Sequence, residues 1–380
     1  MPALTLIAAL CFLLTTTHSY TPFSNETLSS LPRPDNKTFN IHTGTILAPL
    51  LHPRIPGTLG SKAVRQHITS FFATNLPTWN IEYQTSTSQI PIAGSPKTHF
   101  TNIIVSRDPP GIEPHNISRL TLAAHYDSLS DPELQGFIGA IDSAAPCAIL
   151  MHLAQSIDAA LSRKWDPASK GRNLNLNTTD PIGIQLIFFD GEETFAPTLL
   201  ANDGLYGSRV LAAQWTVTAY PEFATYESRL DAITLFVLLD LLGSRNPTVP
   251  SFYPVTHGSY QHLADLERRL RELDLLNSDP DSDSASEADR EEVQYPWFID
   301  ADLTAMDISR PIVQDDQVPF AALGVPVLHV IDVDPGTGAF PAVWHTMNDD
   351  GAHLDMSTVG DWGVLVTAFV GGCLGLEGYL

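Results

Sequence analysis

Short apolar segments alternate with amphipathic ones along this chain, and this alternation restricts its fold more than any other feature. Several of the apolar segments are almost continuously hydrophobic, as is typical of strands buried on both faces of a sheet. The predicted strands are 81–86, 100–106, 120–125, 182–189, 232–239 and 325–331, and the predicted helices are 61–75, 142–160, 205–215, 259–276 and 356–374. We therefore expect an α/β fold of three layers, α/β/α, in which helices cover both faces of a central mixed, largely parallel sheet. Asp142 and Ser143 are placed to cap the second helix.

The chain divides into three parts by composition. Residues 1–19 contain an apolar stretch that is too short to span a membrane, followed by small and polar residues, which is typical of a secretory signal peptide. Residues 20–57 are rich in Pro, Ser, Thr and Asn and predict an irregular N-terminal arm. No linker separates complete sets of strands beyond that arm, so we expect residues 58–380 to form a single domain.

Four Asn-X-Ser/Thr sequons agree with export, at Asn25, Asn36, Asn116 and Asn177. No second segment of 18 or more apolar residues follows the signal peptide. We expect a soluble glycoprotein that is secreted or retained in the secretory pathway.

The chain is strongly acidic, with a formal net charge of −23. Nucleic-acid binding requires clusters of Lys and Arg, and none is visible, so nucleic acid is excluded as a partner. The same charge disfavours anionic membranes. Residues 279–292 carry seven acids against one arginine and are expected to form a solvated acidic loop.

Acidic and histidine side chains follow several of the predicted strands. These residues are His125, Asp127, Asp190, Glu192, Glu193, Asp240 and Asp332, while His329 lies within a strand and Asp142, Asp315 and His345 lie in connections. Ligands of open α/β sheets collect where strands end, and mixed carboxylate and imidazole groups suit Zn²⁺. In the Glu192–Glu193 pair, one side chain can bind metal while the other carries a proton. Singly, each residue is as well explained as a helix cap, a solvated loop residue or a core histidine.

Eight sequence blocks together carry a resemblance to a known family. They are AHYDS, GAIDSAAPCAIL, LIFFDGEETF, LYGSR, LLDLLGSRNPTVPSFYP, QDDQVPF, GVPVLHVI and FPAVWHTMNDD. In this order they resemble the secretory glutaminyl-peptide cyclotransferases (glutaminyl cyclases) over about residues 61–380. Those enzymes share their fold with zinc aminopeptidases, so the resemblance implies a zinc-aminopeptidase-like sandwich.

The resemblance also implies an activity and a site. The implied reaction converts the N-terminal Gln of peptides and proteins to pyroglutamate and releases ammonia, with one Zn²⁺ per chain. The implied zinc ligands are Asp142, Glu193 and His345. The implied catalytic residues are Glu192, as general acid/base, together with Asp240 and Asp315. The implied substrate pocket contains Phe340, Trp344 and His329. The expected partners are therefore peptides with N-terminal Gln, with no nucleic acid and no membrane, and the protein is expected to be a monomer.

The chain departs from the family pattern at four places, one of which is the acidic segment 279–292, foreign to the animal members. Ala124 stands where the animal members have a cysteine that pairs with the equivalent of Cys147, so we expect Cys147 to be a free buried thiol. A pocket tryptophan is missing from the stretch 194–204, where Thr198 lies near its position. Gln317 replaces a usual histidine.

Two other functions remain open at this point. A secreted zinc aminopeptidase of the same fold would use a second metal, and its ligands His125, Asp142 and Asp240 are all present. A non-catalytic secreted binding module is the second alternative. The Glu192–Glu193 block and the block that contains Trp344 favour the cyclase.

Overall fold

The structure is a computed structural model that describes residues 20–92, 94–166, 181–196, 203–278 and 296–380. The predicted signal peptide, the sequon at Asn177, Thr198 and the acidic segment 279–292 lie outside these residues.

A six-stranded sheet forms the centre of the protein. Its strands are β1 (Asn80–Ser88), β2 (Thr98–Arg107), β3 (Ser118–His125), β4 (Ile182–Phe189), β5 (Ile233–Asp240) and β6 (Val327–Ile331). In space they follow the order β1-β2-β4-β3-β5-β6. β1 and β2 are antiparallel to their neighbours, whereas β4, β3, β5 and β6 run parallel. The predicted mixed, largely parallel sheet is confirmed, and β3 at its centre is buried at every position.

Helices cover both faces of this sheet. They are α1 (Asn25–Ser30), α2 (Asn36–Phe39), α3 (Leu59–Asn75), α4 (Ala145–Trp165), α5 (Tyr206–Val217), α6 (His257–Glu272), α7 (Val318–Ala321) and α8 (Met356–Cys373). Because side chains alternate along a strand, Leu122 of β3 belongs to the hydrophobic cluster that includes residues of α3, α4, α6 and α8, while Ala123 belongs to the cluster on the other face, with residues of α5 and α7. The segment Ala140–Trp165, which comprises α4 and the turn before it, is long and apolar enough to cross a membrane, but 78% of its apolar 18-residue window is buried inside the protein, as in a core helix.

The N-terminal arm is more regular than its composition predicts. It contains α1 and α2, which are capped by the side chains of Ser24 and Asp35 respectively. Phe23 and Phe39 are buried in the larger hydrophobic core. The arm is thereby held against the domain by apolar packing.

The prediction that Asp142 and Ser143 cap a helix is wrong. α4 begins at Ala145, and both residues lie before it in a turn with non-helical backbone angles. Their side chains have other partners: the Asp142 carboxylate is hydrogen-bonded to His125, and the Ser143 hydroxyl donates to Asp240. The turn therefore directs both side chains to the ends of the strands.

Candidate active site

Polar side chains from three neighbouring parallel strands meet at the carboxyl end of the sheet. His125 ends β3, Glu192 and Glu193 follow β4, and Asp240 ends β5. A cavity of about 330 Å³ opens there. Its walls include eight of the nine predicted site residues: Asp142, Glu192, Glu193, Asp240, Asp315, Phe340, Trp344 and His345. The ninth, His329, is buried behind Asp315 and does not line the cavity.

Asp142, Glu193 and His345 form a group that can hold a metal ion. His345 Nε2 lies 3.4 Å from Asp142 Oδ2 and 3.5 Å from Glu193 Oε2. Two ligand atoms bound to one tetrahedral zinc, each about 2.1 Å from it, are about 3.4 Å apart. Glu193 Oε1 is buried without a hydrogen-bond partner among the described residues. The distances and the donor set of two carboxylates and one imidazole therefore fit Zn²⁺ with a fourth position open.

The turn that carries Asp142 is fixed from both sides. Arg54 of the N-terminal arm is fully buried, and its guanidinium donates to the carbonyl oxygens of Gly139 and Asp142 at 2.8 and 3.1 Å. Asp349 accepts the backbone N–H of Ile141 at 2.7 Å. Gly139 has φ +62°, and a Cβ there would lie 2.2 Å from the Asp142 carbonyl oxygen, so only glycine fits.

Asp127 fixes the loop after β4. It is fully buried, and its two carboxylate oxygens accept the backbone N–H groups of Glu192 and Glu193, each at 3.2 Å. Asp127 Oδ1 also lies 3.4 Å from His125 Nδ1. One side chain from the end of β3 thus sets the backbone of both glutamates.

The three candidate ligands are electrostatically coupled. Burial, and next the negative charge of Asp142, raise the pKa of Glu193 to about 7. Burial alone would lower the pKa of His345, but its interactions with Asp142 and Glu193 prevail and raise it to about 10. Burial alone would raise the pKa of Asp142, but His125 and His345 hold it well below its ordinary value. A divalent cation among these groups would favour the ionised carboxylates.

Glu192 lies at the cavity wall next to other acids. Burial, and next the negative charge of Asp315, raise its pKa well above the ordinary value. Burial and the charge of Asp240 likewise raise the pKa of Asp315. A carboxylate with a raised pKa is a stronger proton acceptor, which suits a general base.

A second group of possible ligands comprises His125, Asp142 and Asp240. His125 Nε2 is 2.9 Å from Asp142 Oδ1, a hydrogen-bond distance, and 3.5 Å from Asp240 Oδ1. Ser143 donates to the same oxygen of Asp240. These side chains satisfy one another directly, unlike the group around His345.

Aromatic rings form one wall of the cavity. The rings of Phe340 and Trp344 are 4.5 Å apart, and Trp344 stacks on His345 at 3.8 Å and 16°. The edge of Phe137 approaches the His345 ring from another direction, at 6.2 Å. His345 itself has φ +51°, an unusual value for a residue with a side chain. The flat aromatic wall thus also holds a candidate metal ligand in place.

Three residues that hold the site have a role there that sequence reasoning missed. In the sequence Asp127 is only one more polar residue after a strand, and Ser143 is in the position of a helix cap. Arg54 lies in the arm, where nothing in the local pattern distinguishes it. All three act through hydrogen bonds between segments far apart in sequence, and such contacts leave no periodic signal.

Neither described cysteine forms a disulfide. Cys147 is buried, and its thiol donates to the carbonyl oxygen of His125 at 3.1 Å. The expected free thiol is therefore present beneath the site.

The chain matches the family described as Peptidase family M28 over residues 102–370. It is 37% identical to the glutaminyl-peptide cyclotransferase of Bos taurus over 326 residues, which cover 85% of this chain and 79% of the relative. It is 36% identical to the glutaminyl-peptide cyclotransferase of Bothrops jararaca, covering 85% of this chain and 78% of that protein.

Solved structures agree with these sequence relatives. The structure of Macrostomum lignano glutaminyl cyclase superposes with a TM-score of 0.71 at 28% identity and covers 94% of this chain and 95% of that one. A Zn-dependent exopeptidase from Parabacteroides distasonis shares the fold, with a TM-score of 0.58 at 20% identity, covering 89% of this chain and 98% of its own. The chain belongs to Peptidase family M28 and, within it, to the glutaminyl-peptide cyclotransferases.

Proposed function

We propose that this protein is a zinc-dependent glutaminyl-peptide cyclotransferase, which converts the N-terminal Gln of peptides and proteins to pyroglutamate. The observation that carries the proposal is the position of Glu192. A glutamate with a raised pKa lies beside a three-residue metal-binding group, in a cavity with an aromatic wall. Family membership supports the same activity.

Asp142, Glu193 and His345 would hold one Zn²⁺ per chain. Bound there, the ion would supply Lewis-acid polarisation of the amide oxygen of the substrate side chain. Every other contribution to the reaction comes from residues of the chain itself.

Glu192 would move the proton. The α-amine of the substrate attacks its own side-chain amide carbon, so a C–N bond forms and closes a five-membered lactam. Glu192 accepts a proton from that amine and passes it to the nitrogen of the side-chain amide. The original C–N bond of that amide then breaks, and the nitrogen leaves as ammonia. Asp240 and Asp315 line the same cavity and would orient the substrate amine.

The cavity would select the substrate by its first residue. Its volume of about 330 Å³ is at the small end of ligand pockets, which suits a single terminal Gln. Phe340 and Trp344 would pack against the flat ring that forms, and hold the side chain folded back on its own amine.

The protein is proposed to act in the secretory pathway or outside the cell, as a monomer without membrane or nucleic-acid partners. Removal of the predicted signal peptide near Ser19 would leave Tyr20 at the start of the chain, where its ring stacks on His262 at 4.2 Å. Asn25 and Asn36 are exposed and Asn116 is half-buried, so the first two are the sequons most open to glycosylation. N-terminal sequencing, glycosidase treatment and light scattering of the secreted protein test these points.

Incubation of purified protein with a Gln-initiated peptide tests the activity. We expect the peptide to lose the mass of one ammonia, a chelator to stop this, and added Zn²⁺ to restore it. The matched control is the same peptide with an acetylated N-terminus, which has no amine to attack.

Two zinc ions per chain, with release of free N-terminal residues, would instead establish the zinc aminopeptidase. The observation that favours this alternative is the second group of possible metal ligands, formed by His125, Asp142 and Asp240. A protein that binds the peptide and leaves its mass unchanged would be the binding module.

A further inference from the structure

The side chain of Gln317 contacts a buried histidine outside the cavity. Gln317 is fully buried, and its Nε2 donates to the carbonyl oxygen of Val313 at 2.9 Å. The same Nε2 lies 3.1 Å from His329 Nδ1. Rotating the amide by 180° would put its oxygen against the Val313 carbonyl, which is also an acceptor, so the hydrogen bonds determine the orientation.

This orientation determines where the proton of His329 lies. An amide nitrogen only donates, so His329 Nδ1 must accept and carries no hydrogen. The single proton of the neutral ring is then on Nε2, which lies 2.9 Å from Asp315 Oδ2. His329 is 2% exposed, and burial lowers its pKa to about 4, consistent with a neutral ring.

Asp315 is the point at which this chain of contacts reaches the cavity. Its other oxygen, Oδ1, accepts the backbone N–H of Asp316 at 2.6 Å. Each carboxylate oxygen of Asp315 therefore has a protein partner. These two contacts fix the plane of the carboxylate in the cavity that it lines together with Glu192 and Asp240.

We infer that Gln317 is a positioning residue that fixes His329 in the tautomer whose Nε2–H is donated to Asp315, and thereby fixes the orientation of Asp315 in the cavity. The kinetic consequence rests on the proposed function, whereas the tautomer does not. With the opposite tautomer, the Nε2 lone pair would face the carboxylate and repel it.

Three substitutions separate this role from simple packing. In Gln317→Glu the carboxylate would accept a proton from Nδ1, which favours the opposite tautomer. Gln317→His can still donate an N–H to Nδ1. Gln185→Leu is the control, because Gln185 is a similarly buried amide in β4, away from the cavity.

Long-range ¹H–¹⁵N spectra of protein labelled in its histidines, with His329 assigned by its loss in His329→Gln, report the tautomer. We expect an unprotonated Nδ1 in the wild type and in Gln317→His, and a protonated Nδ1 in Gln317→Glu. For cyclisation of a Gln-initiated peptide, kcat should fall about 10- to 100-fold in Gln317→Glu with KM nearly unchanged. Gln317→His and Gln185→Leu should retain wild-type kcat.

A protonated Nδ1 in the wild type would overturn the inference. So would a Gln317→Glu variant with the wild-type spectrum and the wild-type kcat. If the wild type does not cyclise the peptide, the proposed function fails, but the spectra still decide the tautomer.

Discussion

The carboxylate of Asp127 accepts the backbone N–H groups of Glu193 and of its neighbour, each at 3.2 Å. Adjacent side chains in an extended loop tend to diverge, and here Glu193 belongs to the candidate metal-binding group, whereas Glu192 lines the cavity beside that group. The backbone of both glutamates is thus set by a single buried carboxylate.

Exchanging each glutamate for glutamine should separate metal binding from proton transfer. Glu192→Gln should keep bound zinc and lose at least about 100-fold in kcat, because an amide cannot accept the proton. Glu193→Gln should instead lose zinc, since an amide is a weaker ligand than a carboxylate. Metal analysis and ammonia release measure the two effects. A fully active Glu192→Gln variant would show that the assigned mechanism is wrong.

Asp127→Asn should impair both glutamates together. Asparagine retains one acceptor oxygen and turns an NH₂ group towards a backbone N–H, which loses its partner. The buried N–H should cost about 1–3 kcal/mol in the free energy of unfolding. Denaturant unfolding measures this cost, and we expect kcat to fall as well. Equal stability and equal kcat in the variant would contradict the role of Asp127.

Gly139→Ala should disrupt the turn that carries Asp142. The new Cβ would lie 2.2 Å from a backbone oxygen, so the turn must move and zinc affinity should fall. Gly324→Ala is the matched control, because Gly324 also has positive φ, +88°, but has nothing within 4 Å of a Cβ. It should cost only about 1–2 kcal/mol in the free energy of unfolding and leave zinc affinity unchanged. Competition with a chelator measures the zinc affinity. Equal zinc affinities in the two variants would contradict the role of this turn in placing Asp142.

Asp332 should make stability depend on pH. Burial raises the pKa of this carboxyl to about 7, although the backbone N–H of Thr248 partly opposes the rise. Between pH 4 and 7 the folded state therefore holds a proton that the unfolded chain has lost, so this group's contribution to stability falls as pH rises through that window.

Asp332→Asn removes that contribution. The variant should gain stability relative to the wild type between pH 4 and 7, by up to about 4 kcal/mol at the upper end. The Asn oxygen can still accept the N–H of Thr248, 2.8 Å from Asp332 Oδ1 in the wild type. If the free energies of unfolding of the two proteins differed by the same amount at every pH, the raised pKa of Asp332 would be disproved.

The sheet could be predicted because its strands carry their own signal. The residues of β4, for example, are apolar at nearly every position, and the parallel strands lie in the layer that this pattern predicts. Spacing alone could not identify the candidate zinc ligands. Asp142, Glu193 and His345 come from distant segments, and their assignment depended on the resemblance to a family.

Other features could not be predicted from local patterns. Asp142 stands before an apolar helix, as a cap would, and only the three-dimensional position of His125 and His345 gives its carboxylate different partners. Helix-capping preference is worth about 1 kcal/mol, so competing hydrogen bonds of a buried carboxylate override it.

The hydrogen bond from Arg54 to the Asp142 carbonyl oxygen has a consequence for the biosynthesis of the protein. Arg54 lies near the start of the chain, whereas His345 lies near the end, and both are needed around Asp142. During synthesis the candidate metal-binding group cannot be complete until His345 as well as Arg54 has left the ribosome, so a nascent chain that stops short of His345 has no finished site at which to capture zinc. Metal loading would then follow synthesis of the whole segment from Arg54 to His345.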